Sequence, residues 1–286
     1  MAYTSVFVLA PDFPALDGAQ MLGGDYESSL PRAAELGYDG VEIIMGDPDA
    51  FDSGLFKRLL HESGLRISAI NCGGIQYVFK SALVSSDSAQ MQFAFDKLER
   101  NMQHCADLGC VQQIGVARGF AVPGRSMRWF KDCLVDVLCA ACSRATELGI
   151  EIVFEYTNRF EINSINTAVE AREVVERVAS PALGILIDTY HSYLEDPDVY
   201  EAIRYLRDYI RHVHLHDSNG DAAVIGAGEN DFERILRTFA EIGYTRWFSD
   251  GLFTNKYSDT QLRRSTSTLR SWYAKYGLNV RSAQPV

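Results

Sequence analysis

Glu155, Asp188, His191 and His214 stand at or near the ends of three apolar runs, EIVFE over 151–155, GILIDTYH over 184–191 and IRHVHLHD over 210–217. A carboxylate that closes an apolar strand must be paired, bound to a metal or placed at an open rim, because burying it alone costs several kcal/mol. Carboxylate oxygens joined by an imidazole nitrogen form a borderline-hard donor set, suited to Mn, Mg, Co or Zn. A divalent ion holding the carbonyl and an adjacent hydroxyl of a sugar would acidify the carbon-bound proton between them by stabilising an enediolate. A rim carboxylate could then take that proton, a step worth about 10²–10⁴-fold. The reaction classes in view are aldose–ketose isomerisation, epimerisation and β-elimination.

Plainer roles exist for the same residues. Glu155 could pair with Arg159, and Asp188 could cap a helix starting before Tyr190. His212, His214 and His216 alternate along one strand and share a face, so they cannot all bind one ion. His214 lies nearest the rim while still within the strand and is the best ligand of the three. Packing or hydrogen bonding behind the ligands is expected for His212 and His216. His61 and His104 fall in helical segments and are expected at the surface.

The elements that must position these groups are read from an alternation of short β-branched or aromatic runs with longer amphipathic ones, the mark of repeated βα units around a parallel sheet. Eight strands are expected: 6–10, 40–44, 66–71, 112–116, 151–155, 184–188, 211–215 and 247–250. Glycines at the ends of three helical runs, in ELGYDG, ELGI and EIGYT, supply the left-handed residue that turns a helix back towards the sheet. With 286 residues against roughly 250 for the architecture, the expected fold is α/β, a single-domain (β/α)8 TIM barrel over 1–278 with a loose tail at 279–286. Parallel barrels carry their sites at the C-terminal ends of the strands. The loops over 117–126, 158–166 and 217–230 should therefore cover the mouth and set specificity.

Composition narrows the partners. Acidic residues number 38 and basic ones 27, a net charge of −11, where a nucleic-acid or anionic-membrane surface would call for a basic stripe. A neutral or cationic small molecule suits this balance. Six cysteines without framework spacing read as reduced thiols, and the pair at 139 and 142 as helix packing, because structural zinc normally needs four ligands. The start of the chain lacks the basic flank of a signal peptide and no stretch reaches membrane-span length, so the expected location is the cytoplasm.

The run EYTNRFE over 155–161, then DTYH over 188–191, then HVHLHD over 212–217 resembles the xylose isomerase-like sugar isomerase/epimerase superfamily, nearest to the D-tagatose 3-epimerase group. Separations of 33 residues from Glu155 to Asp188 and 26 from Asp188 to His214 fit that group, as do LGYDGVEI, SPA and GAGE. The resemblance implies a ketose or keto-sugar substrate and a divalent metal, manganese foremost. It makes Glu155 a metal ligand and acid/base, Asp188 and His214 further ligands, and His191 a partner in catalysis. Glu161, His191, Asn158 and His216 are expected to contact the substrate. Oligomers are common in this group, which implies a homo-oligomer.

Two positions depart from the pattern. The last family ligand, a glutamate, aligns with Gly251, one place after Asp250, and the epimerases tend to carry an arginine where this chain has Gly220. Asp250 is the expected fourth ligand if a bulge redirects it, since a regular strand would point it to the opposite face. The departures keep two alternatives open. One is a lyase of the same superfamily, either an inosose-type dehydratase or the large subunit of a C-glycoside deglycosidase with a small partner chain. The other is a sugar-binding barrel with an incomplete metal site.

Overall fold

A computed structural model describes residues 2–14, 22–217, 225–226, 228–251 and 258–278. Eight strands pair in parallel and in sequence order into a closed barrel, β1 (Thr4–Leu9), β2 (Gly40–Ile44), β3 (Arg66–Asn71), β4 (Val111–Ile114), β5 (Ile152–Glu155), β6 (Leu183–Asp188), β7 (Ile210–Leu215) and β8 (Phe248–Asp250). Around it run α1 (Tyr26–Glu35), α2 (Ser53–Glu62), α3 (Gly74–Tyr77), α4 (Ser88–Leu108), α5 (Met127–Leu148), α6 (Ala168–Val178), α7 (Thr189–Glu195), α8 (Val199–Tyr205), α9 (Phe232–Glu241) and α10 (Asp259–Tyr276). All eight expected strands are present. β4 is shorter than expected because Gly115, at φ −114° and ψ −110°, breaks the extended chain and a 3-10 turn over Val116–Arg118 follows. The glycine expected after α5, Gly149, takes φ 68° and donates back to Ala145, ending that helix as its sequence signal implied.

Alternation along each strand divides the barrel. Outward residues such as Val213, Leu215 and Phe248 are fully buried beneath the helices, and the Phe248 ring stacks on Tyr273 of α10 with centroids 5.4 Å apart. The inward set below the site is polar. Ser5 Oγ lies 2.8 Å from Ser68 Oγ and 2.7 Å from Ser249 Oγ, and Ser249 Oγ donates to Glu42 at 2.7 Å. Every oxygen in this layer has a hydrogen-bonding neighbour, which is what allows a carboxylate to sit in a barrel interior.

His104 departs from its expected surface position. It is 2% exposed, with Nε2 2.8 Å from the Pro48 carbonyl and its ring edge-on to Phe51. Cys139 is exposed while Cys142 is buried, so that pair faces in two directions, and both are free thiols. No described helix is long and apolar enough to cross a membrane. Gly220, much of the 217–230 loop and the 279–286 tail lie outside the described residues.

Candidate metal and sugar site

The C-terminal rim opens into a cavity of about 340 Å³ whose lining includes Glu155, Glu161, Asp188, His191, His214 and His216. Glu155 and Asp188 arrive as the last residues of β5 and β6, and His214 projects inward from β7. His214 Nδ1 lies 3.0 Å from Glu155 Oε1 and 3.7 Å from Asp188 Oδ2. Ligand atoms about 2.0–2.2 Å from a shared ion stand at such separations from one another. The structure thus brings the three strand tips together.

The hydrogen-bond network sets which nitrogen each imidazole turns to the cluster. His214 Nε2 lies 3.1 Å from Glu42 Oε1, and a carboxylate only accepts, so that nitrogen carries a proton and Nδ1 faces Glu155 and Asp188. For His191 the reverse holds. Asn158 Oδ1 accepts from the Phe160 amide at 3.0 Å, so its Nδ2 is the group 2.9 Å from His191 Nδ1. Nδ1 accepts there, and Nε2 faces the cluster, 3.9 Å from both Glu155 Oε1 and Asp188 Oδ2. Among the described residues, two groups have spacing that could hold a cation, Glu155 with Asp188 and His191, and Glu42 with His212 and His214. The geometry offers a third combination, Glu155, Asp188 and His214 Nδ1, with Glu42 orienting the imidazole from behind.

Electrostatics follow from these contacts. Burial works against ionisation of Glu42, but the His214 charge and the hydrogen bonds from His212 and His214 outweigh it and hold the carboxyl below its usual range. Burial likewise opposes the Asp188 anion, yet the His216 and His191 rings and hydrogen bonds from His214 and His216 hold it well below that range. Burial lowers His214, and Glu42 and Glu155 more than compensate, so the ring sits well above its ordinary value. A cation would displace the Nδ1 proton, as ligation requires.

The two oxygens of Asp188 divide the roles that the sequence left as alternatives. Oδ1 caps α7, accepting from the Tyr190 and His191 amides at 2.7 and 3.3 Å, while Oδ2 faces the cluster. Glu155 does not pair with Arg159, whose guanidinium grips Glu195 instead. Asn158 also donates to Glu161 Oε1 at 2.9 Å, forming a wall of Glu161, Asn158 and His191 beside the cluster. His212 bonds to Glu42 and Ser249, both at 2.9 Å.

Asp250 is not brought to this cluster. β8 pairs with β1 and β7 without a register shift among the described residues, so Ser249 faces inward and Asp250 outward. The shifts that do occur lie between β2 and β3 and between β6 and β7. The outward Asp250 carboxylate accepts from Tyr38 Oη at 2.8 Å. At the next position a Cβ on Gly251 would fall 1.5 Å from His216 Nε2, so the His216 ring fills the space a side chain at 251 would enter. That ring has Nδ1 2.6 Å from Asp188 Oδ2 and Nε2 3.0 Å from the Gly251 carbonyl, two acceptors that together require an imidazolium.

Three residues of the site escaped the sequence reading. Glu42 is a carboxylate in an otherwise aliphatic strand, GVEII, and the reasoning that singled out Glu155 would have found it. Gln113 at the end of β4 donates to Glu155 Oε2 at 2.5 Å. Arg118, with no exposed surface, donates to the carbonyls of Gly115, Glu155, Ser164 and Ile165, tying the ends of β4 and β5 to the loop carrying Glu161. Burial lowers its guanidinium to about 10.

A family model described as xylose isomerase-like TIM barrel matches residues 30–272. The chain belongs to that family. Within it, the chain is 33% identical over 226 residues to the D-psicose 3-epimerase of Ruminiclostridium cellulolyticum, covering 77% of this chain and 75% of that one. It is 29% identical over 223 residues to the ketose 3-epimerase of Arthrobacter globiformis, covering 76% and 73%. The crystal structure of D-psicose 3-epimerase with D-tagatose from Clostridium cellulolyticum H10 matches with a TM-score of 0.78 over 96% of this chain and 99% of that one. At 18% identity the likeness is one of fold.

Proposed function

We propose that the protein is a divalent-metal-dependent sugar epimerase that works at the carbon beside the carbonyl of a free ketose or keto-sugar. The observation that carries this reading is the convergence of Glu155 Oε1, Asp188 Oδ2 and His214 Nδ1, 3.0 and 3.7 Å from the imidazole nitrogen, in a cavity of about 340 Å³. Relatives named as ketose and D-psicose 3-epimerases support the same chemistry. Glu155, Asp188 and His214 would hold the ion, for which the oxygen-rich donor set favours manganese, with magnesium, cobalt or zinc as substitutes. When bound, the ion would polarise the carbonyl and its neighbouring hydroxyl and stabilise the enediolate.

The protein groups do the rest. Glu155 takes the proton from C3, with its second oxygen held by Gln113. His191 presents Nε2–H from the wall opposite, positioned to donate to the oxygen that gains charge. Glu161 accepts from the sugar's hydroxyls beside it, Asn158 holds that wall with both amide hydrogens spent on Glu161 and His191, and His216 braces Asp188 where it closes the rim. The shared cavity is the site of action, because all of these groups line it or touch a residue that does.

A second reading, a lyase, is favoured by one observation: position 251 carries no carboxylate and His216 stands in its place. One base and one acid suffice for an elimination, whereas proton return on the opposite face of the sugar calls for a second group. Incubating the manganese-loaded protein with D-fructose in deuterated water separates the two. Deuterium at C3 without loss of water supports epimerisation, an enone product supports the lyase, and no exchange and no elimination across the ketohexoses would overturn both.

A further inference from the structure

Gln113 closes on the cavity from β4 and is 1% exposed. Because Glu155 can only accept, the 2.5 Å contact must be made by the amide nitrogen, which fixes the orientation of the whole amide. Oε1 is then turned away from Glu155, buried and without a hydrogen-bond partner among the described residues. Its neighbour Gln112 shows the contrast. There Nε2 donates to the carbonyls of Ile70 and Gln113, and Oε1 lies 3.5 Å from Cys105 Sγ. A buried amide oxygen left without a donor is unfavourable and calls for a partner, and Gln113 differs from the other such groups among the described residues in lining the cavity beside Glu155.

The backbone is arranged to keep this amide beside the base. A Cβ at Gly115 would lie 2.5 Å from Glu155 Oε2 and 2.7 Å from Gln113 Nε2, so only glycine leaves the pair undisturbed. Both ends of the amide are bonded to one carbon, so whatever donates to Oε1 lies alongside Glu155 and not at the far end of the cavity. Among the groups of a free sugar, the donors are hydroxyls.

We propose that Gln113 is a specificity-determining residue whose Oε1 accepts a hydrogen bond from the substrate hydroxyl at C4, next to the carbon that Glu155 deprotonates. This assignment rests on the ketose reading of the site. It makes one amide serve two purposes, holding the base through nitrogen and reading the sugar through oxygen. A sugar lacking that hydroxyl leaves Oε1 buried and unsatisfied, the situation in which a polar site rejects an analogue most strongly.

The test is calorimetric titration of the manganese-loaded protein with D-fructose and with 4-deoxy-D-fructose. The wild type is expected to bind D-fructose roughly tenfold or more tightly than the deoxy sugar. Gln113→Met keeps the length of the side chain and removes both polar ends, and it should bind the two sugars within about twofold of each other. Gln113→Asn, which withdraws the amide by one methylene, should lose discrimination in the same way and serves if the first variant melts early. Discrimination that persists in a folded variant overturns the proposal, and so does a wild type that shows none, whether it binds both sugars or neither. Because binding is read without turnover, absence of deuterium exchange alongside the expected binding pattern would count against the epimerase reading and leave the Gln113 assignment standing.

Discussion

The two oxygens of Glu155 keep different company. Oε1 faces His214 at 3.0 Å, and Oε2 is held by Gln113 at 2.5 Å. Replacing the carboxylate by an amide keeps its volume and removes both the base and a charged ligand. Glu155→Gln should therefore lower deuterium exchange into a ketohexose by at least about 10²–10⁴-fold while the far-UV circular dichroism stays native. Retention of most of the exchange would remove Glu155 from the base role. Asp250 invites the opposite expectation. Its outward carboxylate accepts from Tyr38, so Asp250→Asn, whose amide oxygen can still accept that bond, should leave manganese affinity by calorimetry unchanged and lower stability by no more than about 1 kcal/mol. A clear loss of affinity would mean that β8 can turn this side chain inward. At this scale the convergence of Glu155, Asp188 and His214 was legible because each closes or nearly closes an apolar strand. Glu42 could have been found by the same reasoning, but its contacts with His212 and His214, 170 and 172 residues away, could not, and Gln113 was not legible, since its contact with Glu155 joins strands 42 residues apart and depends on which face each presents.

At the scale of elements, β7 and β8 form a rim in which one side chain has taken another's space. His216 reaches over the end of β8, and its ring requires glycine at 251. Gly251→Ala should force the ring off Asp188, costing about 1–3 kcal/mol as overpacking usually does. In the His216→Ala background the same methyl group should cost much less, so thermal melts of the two single variants and the double variant should be non-additive by about 1 kcal/mol or more. Additive losses would show that the ring and the methyl group do not compete. The strands themselves were legible from alternation and glycine punctuation, because each βα unit repeats the same local grammar. Arg118 was not legible. Its donors serve four carbonyls from the ends of β4 and β5 and the 164–165 backbone, and carbonyls have no side-chain signature to announce such a partner.

Across the whole molecule, the closed barrel is what makes distant strand tips into one site. β2, β5, β6 and β7 contribute Glu42, Glu155, Asp188 and His214, and ring closure through the β1 and β8 pairing sets their separations. A cluster of buried carboxylates and imidazoles held this closely gains from a bound cation, and any ligand that binds only the folded barrel stabilises it by mass action. At manganese about 100-fold above its dissociation constant the gain is about 2.7 kcal/mol, a rise in melting temperature of roughly 5 °C for a domain of this size. Chelation should reverse the rise. Asp188→Asn should melt at nearly the same temperature with and without manganese, because the variant loses a charged ligand while the amide oxygen can still cap α7 through the Tyr190 and His191 amides. Differential scanning calorimetry distinguishes this from a general loss of stability: a variant that melts low but still gains the full increment from manganese would place Asp188 outside the coordination shell, and the ion would then have to be held by residues other than the three strand tips.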